Sequence, residues 1–131
     1  MKKDIHIPIS KEVYVAIVHE WNKEFLSKDW NAYLINNRNT PIQMALVVSK
    51  GYDDDRKTST MRYAFGVVKA KGYEKIEMVT EDVLALTNEF YVTYYADDQL
   101  YERRFIFEKN TVTKNNLITI PLLEMDGIFA K

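Results

Sequence analysis

The sequence predicts an all-β protein: a single domain over residues 1–131, built as an antiparallel β-sandwich of immunoglobulin-like type with about eight strands. Three observations lead there. Asn88 to Lys109, NEFYVTYYADDQLYERRFIFEK, holds two alternating aromatic segments joined at Asp97-Asp98, the pattern of a β-hairpin. Short β-branched and aromatic runs recur along the rest of the chain at strand spacing. No long period of 3.6 separates them, so the connections offer little room for crossover helices. A closed β-barrel satisfies the same observations, and a helix over 11–25 would make the protein α+β.

Taken in order, Lys11 to Glu20 is a β-branched run suited to a strand buried on both faces. Val13, Ile17, Trp21 and Phe25 also recur every four residues behind Ser10, the helical alternative, but the density of Val and Ile favours strand. Trp30 to Ile35 is a second strand, closed by the turn-like run from Asn36 to Pro41. Ile42 to Ser49 is a third, with Ile42, Met44, Leu46 and Val48 expected on one side. Gly51 to Thr60 reads as a polar loop, expected to be mobile from Tyr52 to Ser59, and Met61 to Lys69 as a strand. Tyr73 to Val79 follows, with Ile76 and Met78 expected inward, then a helical turn within Glu81 to Leu86. Leu117 to Leu123 is the last strand, its Pro121 marking an edge or a bulge.

The hairpin can be read residue by residue. A two-residue loop at Asp97-Asp98 sets Ala96 opposite Gln99, Tyr94 opposite Tyr101, Val92 opposite Arg103 and Phe90 opposite Phe105. One face then carries Phe90, Val92, Tyr94, Tyr101, Phe105 and Phe107 and is expected to pack. The other carries Tyr91, Thr93, Tyr95, Leu100, Glu102, Arg104 and Ile106 and is expected to stay wetter. An odd-length loop would swap the faces on one strand.

Composition narrows the function. With 18 basic and 19 acidic residues the net charge is −1, without the basic excess of a dedicated nucleic-acid binder. The absence of cysteine excludes disulfides, thiolate chemistry and Cys-based metal sites, and suits the cytoplasm. MKKDIHIPIS lacks the apolar stretch of a signal peptide, and no run approaches the length of a membrane span, so a cytoplasmic protein without a membrane partner is expected.

Candidate chemistry is sparse. Asp53-Asp54-Asp55 concentrates carboxylates but lacks the alternating ligands, glycine and distal glutamate of a calcium loop, and Arg56 and Lys57 would repel an ion. His6 and His19 are the two imidazoles, and no GxSxG, HExxH or glycine-rich phosphate loop accompanies them. His19 is expected to be an edge or surface residue at a strand end, its neighbour Glu20 facing the other way. No cofactor or metal is implied. The tyrosines, with Trp21 and Trp30, supply material for a stacking surface, and Tyr91, Tyr95 and Arg104 on the hairpin's wetter face are the candidate binding residues.

The segments EWNKEFLSKDWNAYLINN, LVVSKGYDDDRKTSTMRYAF and NEFYVTYYADDQLYERRFIFEKNTV resemble a group of small conserved bacterial proteins of unknown function. That resemblance implies no activity, cofactor or site residue. The expectation from the residues is a non-enzymatic interaction module for a protein or peptide partner, with a homodimer as one form. A small carboxylate-dependent hydrolase or carbohydrate-active protein is the alternative.

Overall fold

The computed structural model describes residues 11–131, so Ser10 and His6 lie outside the described residues. Among the described residues nine antiparallel strands follow one another: β1 (Val13–Asn22), β2 (Ser27–Asn36), β3 (Ile42–Tyr52), β4 (Met61–Val68), β5 (Gly72–Val79), β6 (Thr87–Ala96), β7 (Gln99–Phe107), β8 (Ile118–Ile120) and β9 (Met125–Phe129). A single helical turn, α1 (Glu81–Leu84), precedes β6, and a 3-10 turn covers Lys114–Asn116. The strands form two sheets, in the orders β5-β2-β1-β9-β8 and β4-β3-β6-β7, rather than one closed barrel. The all-β expectation holds, and the 11–25 region is a strand and turn, not a helix.

The chain alternates between sheets. β1–β2, β3–β4, β6–β7 and β8–β9 are hairpins, while β5 returns alone to pair with β2. Alternation supplies each sheet with an inner apolar set. Val13, Val15, Ile17, Ala32 and Leu34 of one sheet join Val47, Phe90, Val92, Tyr94 and Phe105 of the other in a single core. Burying each of these larger side chains stabilises by roughly 1.5–3 kcal/mol. A second cluster, Ala16, Val18, Tyr33, Ile35, Ile120 and Leu123, lies on the opposite face of the five-stranded sheet.

The hairpin register agrees with the sequence pairing throughout, from Asn88–Phe107 to Ala96–Gln99. Asp97 and Asp98 both take positive φ, 53° and 61°, as a two-residue turn matched to strand twist requires. Phe90, Val92, Tyr94, Phe105 and Phe107 are buried, so the expected core face is the core face.

Two strands depart from simple alternation. In β3 the register shifts between Ile42 and Leu46, and Met44 has φ 50°. This bulge turns Ile42, Ala45 and Val47 inward, leaves Met44 exposed, and sends Leu46 and Val48 to the outer face, so the expected one-sided row of Ile42, Met44, Leu46 and Val48 does not form. In β5 a shift opposite Ala32/Tyr33 buries Ile76 but leaves Met78 exposed rather than inward. The expected strand 117–123 is shorter, and a further strand follows it. Pro121 to Glu124 forms an apolar turn, with Leu122 and Glu124 at φ 71° and 53°, that returns the chain as β9. β8 is an edge strand, as Pro121 suggested.

The polar loop after β3 is held by its own hydrogen bonds. Asp53 N donates to the Arg56 carbonyl at 2.9 Å, and Thr58 N donates to that of Gly51 at 2.8 Å. Among the described residues, no helix is long and apolar enough to cross a membrane.

Candidate functional site

The outer face of the β4-β3-β6-β7 sheet is the candidate site. Register aligns its rows across the strands. Arg62, Val48, Tyr91 and Arg104 form one row, and Ala64, Leu46, Thr93 and Glu102 the next. Lys50, Glu89 and Ile106 flank them on one side, with Gln43, Tyr95 and Leu100 on the other. Leu46, Val48, Tyr91, Leu100 and Ile106 are only half-buried, and Tyr95 is 42% exposed. Four strands thus present an apolar centre with basic and acidic side chains around it.

At one end of this face Glu89 organises the charges. Its side chain is only 11% exposed, and its carboxylate lies 3.6 Å from Lys50 Nζ and 3.4 Å from Arg104 Nε. The Tyr52 hydroxyl donates to it at 3.4 Å, and burial, then the nearby Glu89 charge, raises the Tyr52 pKa. The Arg104 guanidinium lies 5.9 Å from the Tyr91 ring centre, and the Lys50 ammonium 5.8 Å from that of Tyr52. A buried carboxylate therefore anchors two cations beside two tyrosine rings and leaves both cations open to solvent.

Of the three residues expected to act together, the structure joins two. Tyr91 and Arg104 are directly opposed, whereas Tyr95 pairs with Leu100, four residues along the strand from Tyr91. Tyr95 instead borders a shallow cleft of about 310 Å³ with Pro41, Met44 and Asp98. Leu46, Val48, Lys50 and Arg62 belong to the same surface but were not singled out from sequence. The β3 bulge hid the first two, because unbroken alternation puts them inward. The charged pair carries no sequence signal beyond strand register.

The remaining candidates have local roles. Asp53 binds Arg56 at 2.8 Å and accepts from the backbone N–H groups of Asp55 and Arg56, and these bonds, Arg56's first, lower its pKa. Among the described residues no group of His, Asp and Glu side chains is arranged to hold a metal ion. His19 stacks on Trp30, ring centres 4.2 Å apart, on the inner face of β1 rather than at a bare edge. Burial, then Lys28 and Lys114, lowers its pKa. Glu20 does face the other way, accepting from Asn31 Nδ2 at 2.8 Å and the Tyr33 hydroxyl at 2.7 Å.

Ser49, Glu77 and Asn88 come together at a cleft of about 190 Å³. The Ser49 hydroxyl donates to Glu77, which also raises the Tyr63 pKa after burial. Glu77 is the one carboxylate lining that cleft among the described residues, which falls short of the two acids that glycoside hydrolysis uses. Ser49 there bonds a carboxylate rather than an imidazole base.

Comparison with protein-family models, with curated proteins and with solved structures finds no match to this chain.

Proposed function

We propose that this chain is a non-enzymatic, cytoplasmic interaction domain that binds a protein or peptide through the outer face of the β4-β3-β6-β7 sheet. The observation that carries it is the four-strand face itself, left partly exposed among the described residues. Its half-buried Leu46, Val48, Tyr91, Leu100 and Ile106 adjoin Tyr95, Arg62 and Arg104, the mixture of aromatic, arginine and aliphatic groups that supplies interface anchors. Monomers seldom leave a contiguous apolar patch beyond a few hundred Å² bare. A two-fold dimer through this face is the form in which the chain supplies its own partner. The proposal takes the two sheets as the layers of an immunoglobulin-like sandwich, supported by their shared core.

The test places a photo-activatable amino acid at Tyr95 and, as a control, at exposed Lys75 on the other sheet, in cells that make the protein. The expected result is a discrete protein adduct from position 95 that position 75 does not give. Identical adducts from both positions, or none from 95, would overturn the proposal. The mass of the adduct tells a second copy from another protein.

A further inference from the structure

The cleft of about 190 Å³ at Ser49, Glu77 and Asn88 is built from both sheets: β5 brings Glu77, and β3 and β6 bring Ser49 and Asn88. The β5 bulge aims the carboxylate inward. Glu77 lies opposite Ala32, a fully buried core residue, and the same shift puts Ile76, the residue before it, in the core as well. Ser49 is paired with Met61 on one side and Phe90 on the other, so these three share the inner face. The next inner position along β3 is Gly51, opposite Asn88, and its missing side chain leaves the gap. A Cβ there would lie 3.2 Å from both Asn88 Oδ1 and Thr58 Cγ2.

The donors around this gap are already committed. The Ser49 and Tyr63 hydroxyls both donate to the Glu77 carboxylate. The Asn88 amide donates to the carbonyls of Val83 at 2.9 Å and Leu86 at 3.1 Å, which uses both of its protons. The Thr58 hydroxyl donates to the Ser59 carbonyl at 3.1 Å, and the Ser59 hydroxyl stands at the exposed rim. What Glu77, Ser49 Oγ and Asn88 Oδ1 still offer is acceptor capacity around one negative charge. Ser49 and Asn88 are 4% and 5% exposed, so their positions are fixed by packing. Lys50, the other charged residue of the lining, has its ammonium 3.6 Å from Glu89, on the outer face of the sheet. Met61, Val83 and Phe90 supply apolar walls.

We propose that this cleft binds a primary alkylammonium group, the ammonium among Glu77, Ser49 Oγ and Asn88 Oδ1 and the stem against Met61, Val83 and Phe90. An ammonium has three donors and no acceptor, the complement of acceptors grouped around a carboxylate. A divalent metal ion fits poorly, because it takes six or more oxygen ligands and among the described residues no acidic or His group is arranged to hold one. A guanidinium needs both oxygens of a carboxylate side by side, and Glu77 already accepts two hydroxyl protons. At about 30 Å³ for each water-sized group, the cleft holds about six non-hydrogen atoms, enough for an ammonium on a four-carbon stem. A free alkylamine and the lysine side chain of a peptide share that chemistry. The outer face of the β4-β3-β6-β7 sheet takes no part.

The experiment is an NMR titration of the isotope-labelled chain at pH 7, where an alkylamine is protonated. The probes are butylammonium chloride, Nα-acetyl-lysine methylamide, 1-butanol and ammonium chloride. Butylammonium is expected to give saturable shifts of the Ser49, Gly51 and Asn88 amides. Neither 1-butanol, a stem without the charge, nor ammonium chloride, a charge without the stem, should give them. The same shifts with the lysine derivative would admit a peptide lysine as the source, and their absence would restrict the site to free amines. Glu77→Gln keeps the shape and is expected to weaken butylammonium binding more than about tenfold. Gly51→Ala fills the gap with the charge left in place and is expected to weaken it too, so it decides the matter if Glu77→Gln does not fold. Butylammonium that moves none of these amides would overturn the proposal. So would an equal response to ammonium chloride, which would make this a site for any small cation, or a folded Glu77→Gln chain that binds as tightly as the natural one.

Discussion

Single side chains decide where this fold tolerates change. Asn36 is fully buried, and its Nδ2 donates to the carbonyls of Thr40, Val68 and Lys69 at 3.0, 3.2 and 3.0 Å, joining the β2–β3 turn to the end of β4. Asn36→Ala leaves these carbonyls, that of Val68 fully buried, short of a donor and is expected to cost about 1–3 kcal/mol in chemical denaturation. His19 gives a pH dependence. Its native pKa lies below the ordinary 6.5, so between those two values the unfolded chain binds the proton that the native one refuses. The stability His19 contributes is present above pH 6.5 and is lost as pH falls through that window toward its lowered native pKa. Lys28 and Lys114 press in the same direction, and Glu81 and Asp126 oppose them. Melting temperatures from pH 8 to 5 should therefore fall less for His19→Phe, which keeps a ring against Trp30, than for the natural chain. Parallel curves would show that His19 titrates normally.

At the scale of elements, alternation was legible and its interruptions were not. The β6–β7 hairpin could be read in full because aromatics mark one face at every second residue and Asp97-Asp98 tolerates positive φ at both turn positions. The β1 strand was legible for the same reason, as β-branched density outweighed a four-residue repeat. The β3 bulge left no such mark. Met44 adopts φ 50° with no glycine or asparagine there to announce it, so Leu46 and Val48 of the outer face were grouped with the inward Ile42. The turn between β8 and β9 was hidden by its own hydrophobicity, since Leu123 is 8% exposed and reads as strand. β9 itself depends on Gly127. A Cβ there would sit 2.7 Å from the Ile17 carbonyl and 2.9 Å from Val18 and Ile120 side-chain carbons. Gly127→Ala must push β9 off β1 and is expected to lower stability by about 1–3 kcal/mol. An unchanged melting curve would mean that β9 is loosely held.

For the whole molecule, two sheets over one core leave each sheet an outer face, and among the described residues one of them is partly covered by its own chain. The turn at Pro121 to Glu124 folds over part of the five-stranded sheet, bringing Leu123 into its outer cluster, while among the described residues nothing comparable crosses Tyr91 and Arg104. Binding and folding should therefore separate on that face. The Arg104 side chain is 62% exposed, and exposed ion pairs contribute at most about 1 kcal/mol. Arg104→Ala should accordingly shift the melting temperature by only a few degrees while reducing the adduct formed from position 95. A large stability loss would make the Glu89 cluster a structural device instead. The most direct measurement is tyrosine footprinting by a small water-soluble reagent, on the dilute purified chain and in cells that make it. With Tyr95 42% exposed and Tyr94 fully buried, Tyr95 should be modified in the dilute chain and protected in cells, and Tyr94 spared in both. Tyr95 protected in the dilute chain would mean that the face is covered from within, and equal modification of Tyr95 in both settings would mean that nothing binds there.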